Sequence, residues 1–417
     1  MNVTGIIAEY NPFHNGHAYQ IAEARKRTDA DYVIVILSGD FVQRGEPAIL
    51  DKYVRTHAAL ACGADLVLML PVTASTASAE NFAASGIGIL HALGVVTHLS
   101  FGTEAADAQG FAFLKKCVPV LINEPDSFRE TLAAQQKTGA AYPAARAKAL
   151  LSAADPAPLS EQQALSLLKE PNTILALEYL KQLSLLQSPV IPVPISRKSG
   201  TYHSAAIDGA QPSAAAIRAA LLLAADDKAA KAAMPDVMYE ELVRYAGTHR
   251  LLCADDFSQM LFYAVQSCIL DENQTLRIPH DLYRRICRTF EEYSGWSSYA
   301  GLLKSKNITY TAVSRTLTAI LLGITARERA VMDKFMQAPY ARILGFKKEA
   351  APLLKQIAQN SRIPVITRPA AAAKVLDPQL RMLFERDIAA SALYRYAACE
   401  DAKRRQPDDY RQPLVIL

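Results

Sequence analysis

The chain has 417 residues, 51% of them hydrophobic and 21% charged, and a net charge of +4. This composition excludes disordered and collagen-like classes and leaves a globular chain long enough for two ordinary domains. No apolar run reaches the roughly 18 residues of a membrane span, and the start lacks a signal-peptide pattern, so a cytoplasmic protein without a membrane partner is expected.

Apolar β-branched runs at Val3–Ala8, Tyr32–Leu37, Leu66–Leu70 and Thr97–Phe101 predict four strands. Helix-like periodicity at Ala18–Arg27, Lys52–Cys62 and Ala79–Leu93 fills the gaps between them. Continuous apolar strands separated by crossover helices predict a doubly wound α/β domain around a parallel sheet, whose ligands sit beyond the carboxyl ends of the strands. After Gly102 the chain turns helix-rich through Leu183, then offers a strand at Val190–Ile195 and a helix from Ser213 toward Ala225.

A domain boundary is expected near Pro235, giving a nucleotide-binding domain over residues 1–235 and a mainly helical one over 236–417. In the second half, helices are predicted at Glu240–Tyr245, Phe257–Leu270, Asp281–Tyr293, Ala312–Gly323 and Ala330–Met336, with one short strand at Ile363–Thr367. Residues 301–417 hold 20 Lys+Arg against 10 Asp+Glu, leaving 25 of the 45 basic and 31 of the 41 acidic residues for residues 1–300. A basic C-terminal region points to a polyanionic partner such as nucleic acid, although solvated helix faces alone give such asymmetry. Six widely separated cysteines, Cys62, Cys117, Cys253, Cys268, Cys287 and Cys399, lack metal or redox spacing and read as reduced thiols.

Chemistry concentrates where the first strand ends. The sequence turns through Asn11-Pro12, and His14-Asn15-Gly16-His17 opens the next helix. Unpaired N–H groups at a helix start attract phosphate. His14 and His17, three apart, share a helix face and can donate hydrogen bonds to phosphate oxygens, while Gly16 leaves room for an adenine or ribose. Half a metal site is the weaker reading, because neither HExxH spacing nor a nearby cysteine accompanies the pair.

The HNGH string after a strand resembles the HxGH signature of the nucleotidyltransferase superfamily. The longer VTGIIAEYNPFHNGHAYQI, with SGDFVQRGEPAI at Ser38–Ile49, GADLVLMLP at Gly63–Pro71, NTILALEYL at Asn172–Leu180 and YARILGF at Tyr340–Phe346, is narrower. Together these segments resemble the bacterial tRNA(Met) cytidine acetate ligase family nearly end to end. The resemblance implies a ligase that joins acetate to ATP as acetyl-adenylate, releases pyrophosphate, and acetylates N4 of the wobble cytidine of elongator tRNA(Met). It implies ATP contacts at Ile7, Ala8, Glu9, Tyr10, Asn11, Pro12, Phe13, His14, Asn15, Gly16, His17, Ala18, Tyr19 and Gln20, and at Gly102, Asn172, Arg197 and Lys198.

Each of these positions also has a plainer reading. Gly102 ends a strand in SFGTE and serves equally as a turn; Asn172 follows Pro171 at a helix start and serves equally as a cap. Arg197 and Lys198 follow a strand and suit phosphate, or form an exposed basic pair. His14, His17 and Arg197 are the expected catalytic donors, with Mg²⁺ as counter-ion and no metal motif from the protein. Arg44, in the loop Gly39–Pro47, is a candidate for substrate contact. In SAAAIR, Ser213 and Arg218 are candidates for phosphate, while Ala214 to Ala216 bring no hydroxyl and a plain N-capped helix serves as well. For RNA the candidates are Lys304, Lys306, Tyr310, Arg315, Arg342, Lys347 and Lys348, any of which also fits an ordinary helix surface. An adenylyltransferase for a small phosphorylated metabolite fits HNGH equally well, and a non-catalytic RNA-binding protein is the third alternative. No motif specifies an oligomeric state.

Overall fold

The computed structural model describes residues 1–197, 213–223, 227–270 and 278–417. In chain order the strands are β1 Val3–Ala8, β2 Tyr32–Ser38, β3 Phe41–Val42, β4 Glu46–Pro47, β5 Leu66–Leu70, β6 His98–Thr103, β7 Ile191–Ser196, β8 Ala341–Phe346, β9 Val365–Ile366 and β10 Val415–Ile416. Eight of them form one sheet, in the order β10-β8-β5-β2-β1-β6-β7 with β9 on β8, and β3 and β4 make a separate hairpin. The core run β5-β2-β1-β6-β7 is parallel, as the sequence predicts, and helix-rich segments follow.

Alternate residues of the central strands face opposite layers. In β2, Ile34 and Ile36 enter one hydrophobic cluster while Val33, Val35 and Leu37 enter another. Burial on both faces explains why these strands read as unbroken apolar runs. From β1 the chain winds outward through β2 to β5, then returns to lay β6 on the other side of β1. The reversal leaves a crevice at the carboxyl ends of β1 and β6, where ligands bind in doubly wound sheets.

The expected boundary near Pro235 does not separate the sheet from the helices. YARILGF, beyond that boundary, supplies β8, which pairs antiparallel with β5 across a bulge at Val67/Leu68. β10 then adds to β8 from the C-terminal tail. Helices Ser258–Leu270, His280–Thr289, Trp296–Leu303, Tyr310–Leu321 and Ala326–Lys334 lie between. Their core, around Phe257, Trp296, Tyr299 and Leu317, also takes in Phe41 and Val72 from the first half.

A buried ionic network fastens the two halves. Lys52 Nζ donates to Asp40 Oδ2 at 2.8 Å, Asp409 Oδ1 at 3.0 Å and Ser391 Oγ at 2.6 Å. Arg342 Nη2 donates to Asp409 Oδ2 at 2.8 Å and to the Tyr53 hydroxyl at 3.2 Å. Arg342 is 1% exposed, which removes it from the RNA candidates: a side chain sealed against Asp409 cannot reach a phosphate outside. Lys347 and Lys348 lie away from the crevice for a topological reason. Because β8 runs antiparallel to β5, it carries them to the amino-end edge of the sheet, where the Lys347 N–H bonds Asp65 O at 2.9 Å, opposite the crevice.

Candidate active site

The crevice is a cavity of about 470 Å³. Ile7, Ala8, Glu9, Tyr10, Asn11, His14, His17 and Gln20 line it, together with Gly102, Asn172, Arg197, Arg44, Ser213 and Arg218. Of the expected segment, Pro12, Phe13, Asn15, Gly16, Ala18 and Tyr19 do not line it but shape its turn. Phe13 is fully buried and meets the Tyr10 ring edge-on at 4.8 Å, and Asn15 Nδ2 donates to Ala232 O at 2.9 Å. Lys198 lies outside the described residues.

The two histidines cap the helix Asn15–Thr28 and thereby fix their own tautomers. His14 Nδ1 accepts from the Gly16 N–H at 3.0 Å, and His17 Nδ1 accepts from the His14 N–H at 3.2 Å. With both Nδ1 atoms engaged as acceptors, a neutral ring carries its proton on Nε2. Burial, reinforced by the charge of Arg197, pushes His14 down to about 3. Burial again, then His14 and Arg197, hold His17 well below its ordinary value. The rings stack at 3.7 Å, and Tyr10 and Phe13 brace His17 at 4.7 and 5.6 Å. Near pH 7 the pair is therefore neutral, with two N–H donors fixed at a helix N-terminus.

Across the crevice, Arg197 Nη1 donates to Asn172 Oδ1 at 3.1 Å, and Asn172 Nδ2 donates to Glu104 Oε1 at 2.7 Å. Glu104 Oε2 accepts from Thr173 Oγ1 at 3.1 Å. Asn172 thus bridges Glu104 and Arg197 besides standing in the first turn of the helix Pro171–Leu185. Gly102 has a steric reason to be glycine, since a Cβ there would meet Arg197 Cγ at 3.3 Å. Glu104 closes the SFGTE string, where no local pattern marks it as the group that orients Asn172.

The loop after β2 closes a third side. Gly45 adopts φ +76°, and a Cβ on it would fall 2.3 Å from the Arg315 backbone N. Ser314 Oγ donates to Gly45 O at 2.6 Å, so this contact seats the helix Tyr310–Leu321 on the loop and brings Arg315 to the crevice wall. Arg218 Nη1 donates to Asn11 O at 2.8 Å and Nη2 to Glu46 Oε1 at 3.1 Å, while Ser213 Oγ caps its helix by accepting from Ala216 N at 3.2 Å. Burial raises the Glu9 carboxyl, opposed by Arg44, the Gln43 amide and Arg218. Beneath the site, fully buried Arg55 donates to the carbonyls of Glu9 at 2.7 Å and Ser38 at 3.0 Å, and to that of Gly39. This guanidinium holds the ends of β1 and β2 in register, a role that helix periodicity around Lys52–Cys62 does not disclose.

The HIGH Nucleotidyl Transferase family model matches residues 1–409. The tRNA(Met) cytidine acetate ligase of Acetivibrio thermocellus is 32% identical over 425 residues, covering 100% of both chains. That of Halothermothrix orenii is 34% identical, covering 100% of this chain and 99% of the relative. This chain belongs to the tRNA(Met) cytidine acetate ligase family. Crystal structures of Thermotoga maritima TmcAL share the family fold: the apo form I has a TM-score of 0.92 and the form bound with alpha-thio ATP 0.90, each at 27% identity over 100% of both chains.

Within this family fold the RNA candidates on the helical side separate. Lys304, Lys306 and Tyr310 are exposed, Lys306 Nζ reaching Thr138 O at 3.3 Å. Arg315 instead faces the crevice, so it does not belong with a solvated helix face. Among the described residues no helix is long and apolar enough to cross a membrane.

Arg197 gives a direct test of the crevice. Arg197→Ala is expected to weaken ATP binding about 10- to 100-fold without tRNA present, the scale of one hydrogen bond to a charged group. Arg197→Lys should recover only part, because a fork becomes a point charge. Calorimetric titration with ATP measures both, and parental affinity in the alanine variant would remove Arg197 from the nucleotide site.

Proposed function

We propose that this chain forms acetyl-adenylate from acetate and ATP in the crevice and transfers the acetyl group to N4 of the wobble cytidine of elongator tRNA(Met). An acetate oxygen attacks the α-phosphorus and pyrophosphate leaves. The cytidine amine then attacks the acetyl carbonyl carbon, the bond to the phosphate oxygen breaks, AMP departs, and the nitrogen loses a proton. The observation that carries this reading is the convergence of His14, His17 and Arg197 on one crevice at the switch point, with both imidazoles held as neutral Nε2–H donors. Fixed donors aimed at a triphosphate stabilise charge that grows during displacement and need no covalent enzyme nucleophile.

Asn172, Gly102 and Arg44 line the same crevice and serve as nucleotide contacts, with Arg218 and Ser213 shaping the wall near Asn11. Mg²⁺ would travel with the nucleotide, held mainly by phosphate oxygens and water; the described residues gather no group of three His, Cys, Asp or Glu side chains. Exposed Lys304 and Lys306 offer phosphate contacts, and exposed Tyr310, next to the crevice-lining Thr311, offers a stacking face for a base. A cytoplasmic location follows from this substrate. The likeness to acetate ligases over the full chain, helical C-terminal region included, favours this reading over the metabolite adenylyltransferase, which fits HNGH alone.

Labelled acetate incubated with the protein, ATP and bulk tRNA is expected to enter the tRNA, and omission of protein or ATP should abolish the transfer. Incorporation without ATP, or none with every component present, would overturn the assignment.

A further inference from the structure

A second cavity, of about 750 Å³, adjoins the crevice and shares Arg315 with it. Its walls come from the helix Tyr310–Leu321, which supplies Arg315 and Thr316, from the helix Ala326–Lys334, which supplies Arg329, Ala330 and Asp333, and from the turn at Ser78. Two arginines on successive helices therefore line one cavity. Neither makes a side-chain hydrogen bond or ion pair among the described residues, and Arg329 Nη1 is buried with no partner. Burial lowers both from their ordinary value; Asp333 offsets this for Arg329, and no charged group does so for Arg315. Asp333, on the same wall, already accepts from Gln337 Nε2 at 2.5 Å through its Oδ1.

A forked cation partly withdrawn from water and left without a carboxylate partner favours an arriving anion, and phosphate matches its geometry. The volume falls within the roughly 300–1,000 Å³ range of small-molecule pockets, enough for one nucleotide. A base modified at an exocyclic amine must leave its stack, and its own phosphate then needs a fixed seat. We propose that this cavity holds the acceptor nucleotide of the RNA, its phosphate on Arg329 and Arg315, with Arg315 as the wall shared with the acyl donor. The assignment rests on the RNA-acetylating reading given above and adds to it the place where the acceptor is held.

Two variants test it. Arg329→Gln removes the charge at similar length, and Ala330→Trp fills the cavity from an exposed position that the fold tolerates even if the first variant folds poorly. Both are expected to raise KM for tRNA about tenfold or more in labelled-acetate transfer. Acetate-dependent ATP–pyrophosphate exchange should stay within about twofold of the parent, because the acyl-donor half of the reaction does not use this cavity. Arg329→Gln should also make the logarithmic salt slope of tRNA binding shallower by about 0.7 to 0.9, the release associated with one phosphate contact. Parental KM in folded variants overturns the cavity assignment alone, and so does a parallel loss of exchange, which would make the cavity part of the ATP site. No transfer to tRNA by the parent overturns the functional reading and the cavity assignment together.

Discussion

Replacing His17 with asparagine is expected to lower acetate-dependent ATP–pyrophosphate exchange by about 10²- to 10³-fold in a protein that remains folded. Asparagine Oδ1 can take the place of Nδ1 and still accept the His14 N–H, so the helix keeps its cap; what disappears is the Nε2–H donor facing the crevice. Loss of one preorganised donor from a charge-stabilising site has this magnitude. His17→Gln reverses the experiment, since its amide nitrogen reaches the Nε2 position while the capping acceptor is lost. The glutamine variant should therefore retain more exchange than the asparagine variant, at some cost in stability. Near-parental exchange in His17→Asn would show that this ring only caps the helix.

Asp409→Ala should cost about 3–5 kcal/mol of stability, because Lys52 and Arg342 would stay buried without their shared carboxylate. Burial alone would raise the Asp409 carboxyl, but Lys52 and Arg342 outweigh it and hold the group well below the ordinary carboxylate range. A depressed folded pKa contributes stability that is present above the unfolded value of about 4 and is lost as pH falls below it. The gap between parent and variant in urea midpoint should accordingly be full near pH 7 and shrink under acid conditions below about pH 4. A gap that grows on acidification, or a variant as stable as the parent at neutral pH, would show that the network does not fasten the tail.

The crevice was legible because strand, turn and helix start are local: HNGH sits within a few residues of the end of β1, and short-range pattern carries the geometry. Gly102, Asn172 and Arg197 are legible only through the family resemblance, and their meeting depends on β6 and β7 being neighbours in the sheet. Glu104 and Arg55 were hidden because a carboxylate after a strand and an arginine in a helix look alike whether they face water or a buried carbonyl. YARILGF reads as a family string, yet nothing local marks its six-residue strand inside a run of helices. Its place beside β5 depends on a pairing across more than 270 residues, and no periodicity reports that. The same distance concealed the Lys52–Asp409 pair, and with it the burial of Arg342. Arg315 reads as an RNA contact or an ordinary helix surface from sequence, whereas the left-handed turn at Gly45 brings that helix against the crevice.

Acetate carrying ¹⁸O in its carboxylate tests activation at the α-phosphorus most directly. If acetate attacks that phosphorus and the amine later breaks the acyl C–O bond, one acetate oxygen must remain on the phosphate of the departing nucleotide. Mass spectrometry after tRNA acetylation should find one ¹⁸O per AMP and none in pyrophosphate. AMP without ¹⁸O while acetylation proceeds, or ¹⁸O in inorganic phosphate or pyrophosphate, would contradict an acetyl-adenylate formed in this crevice.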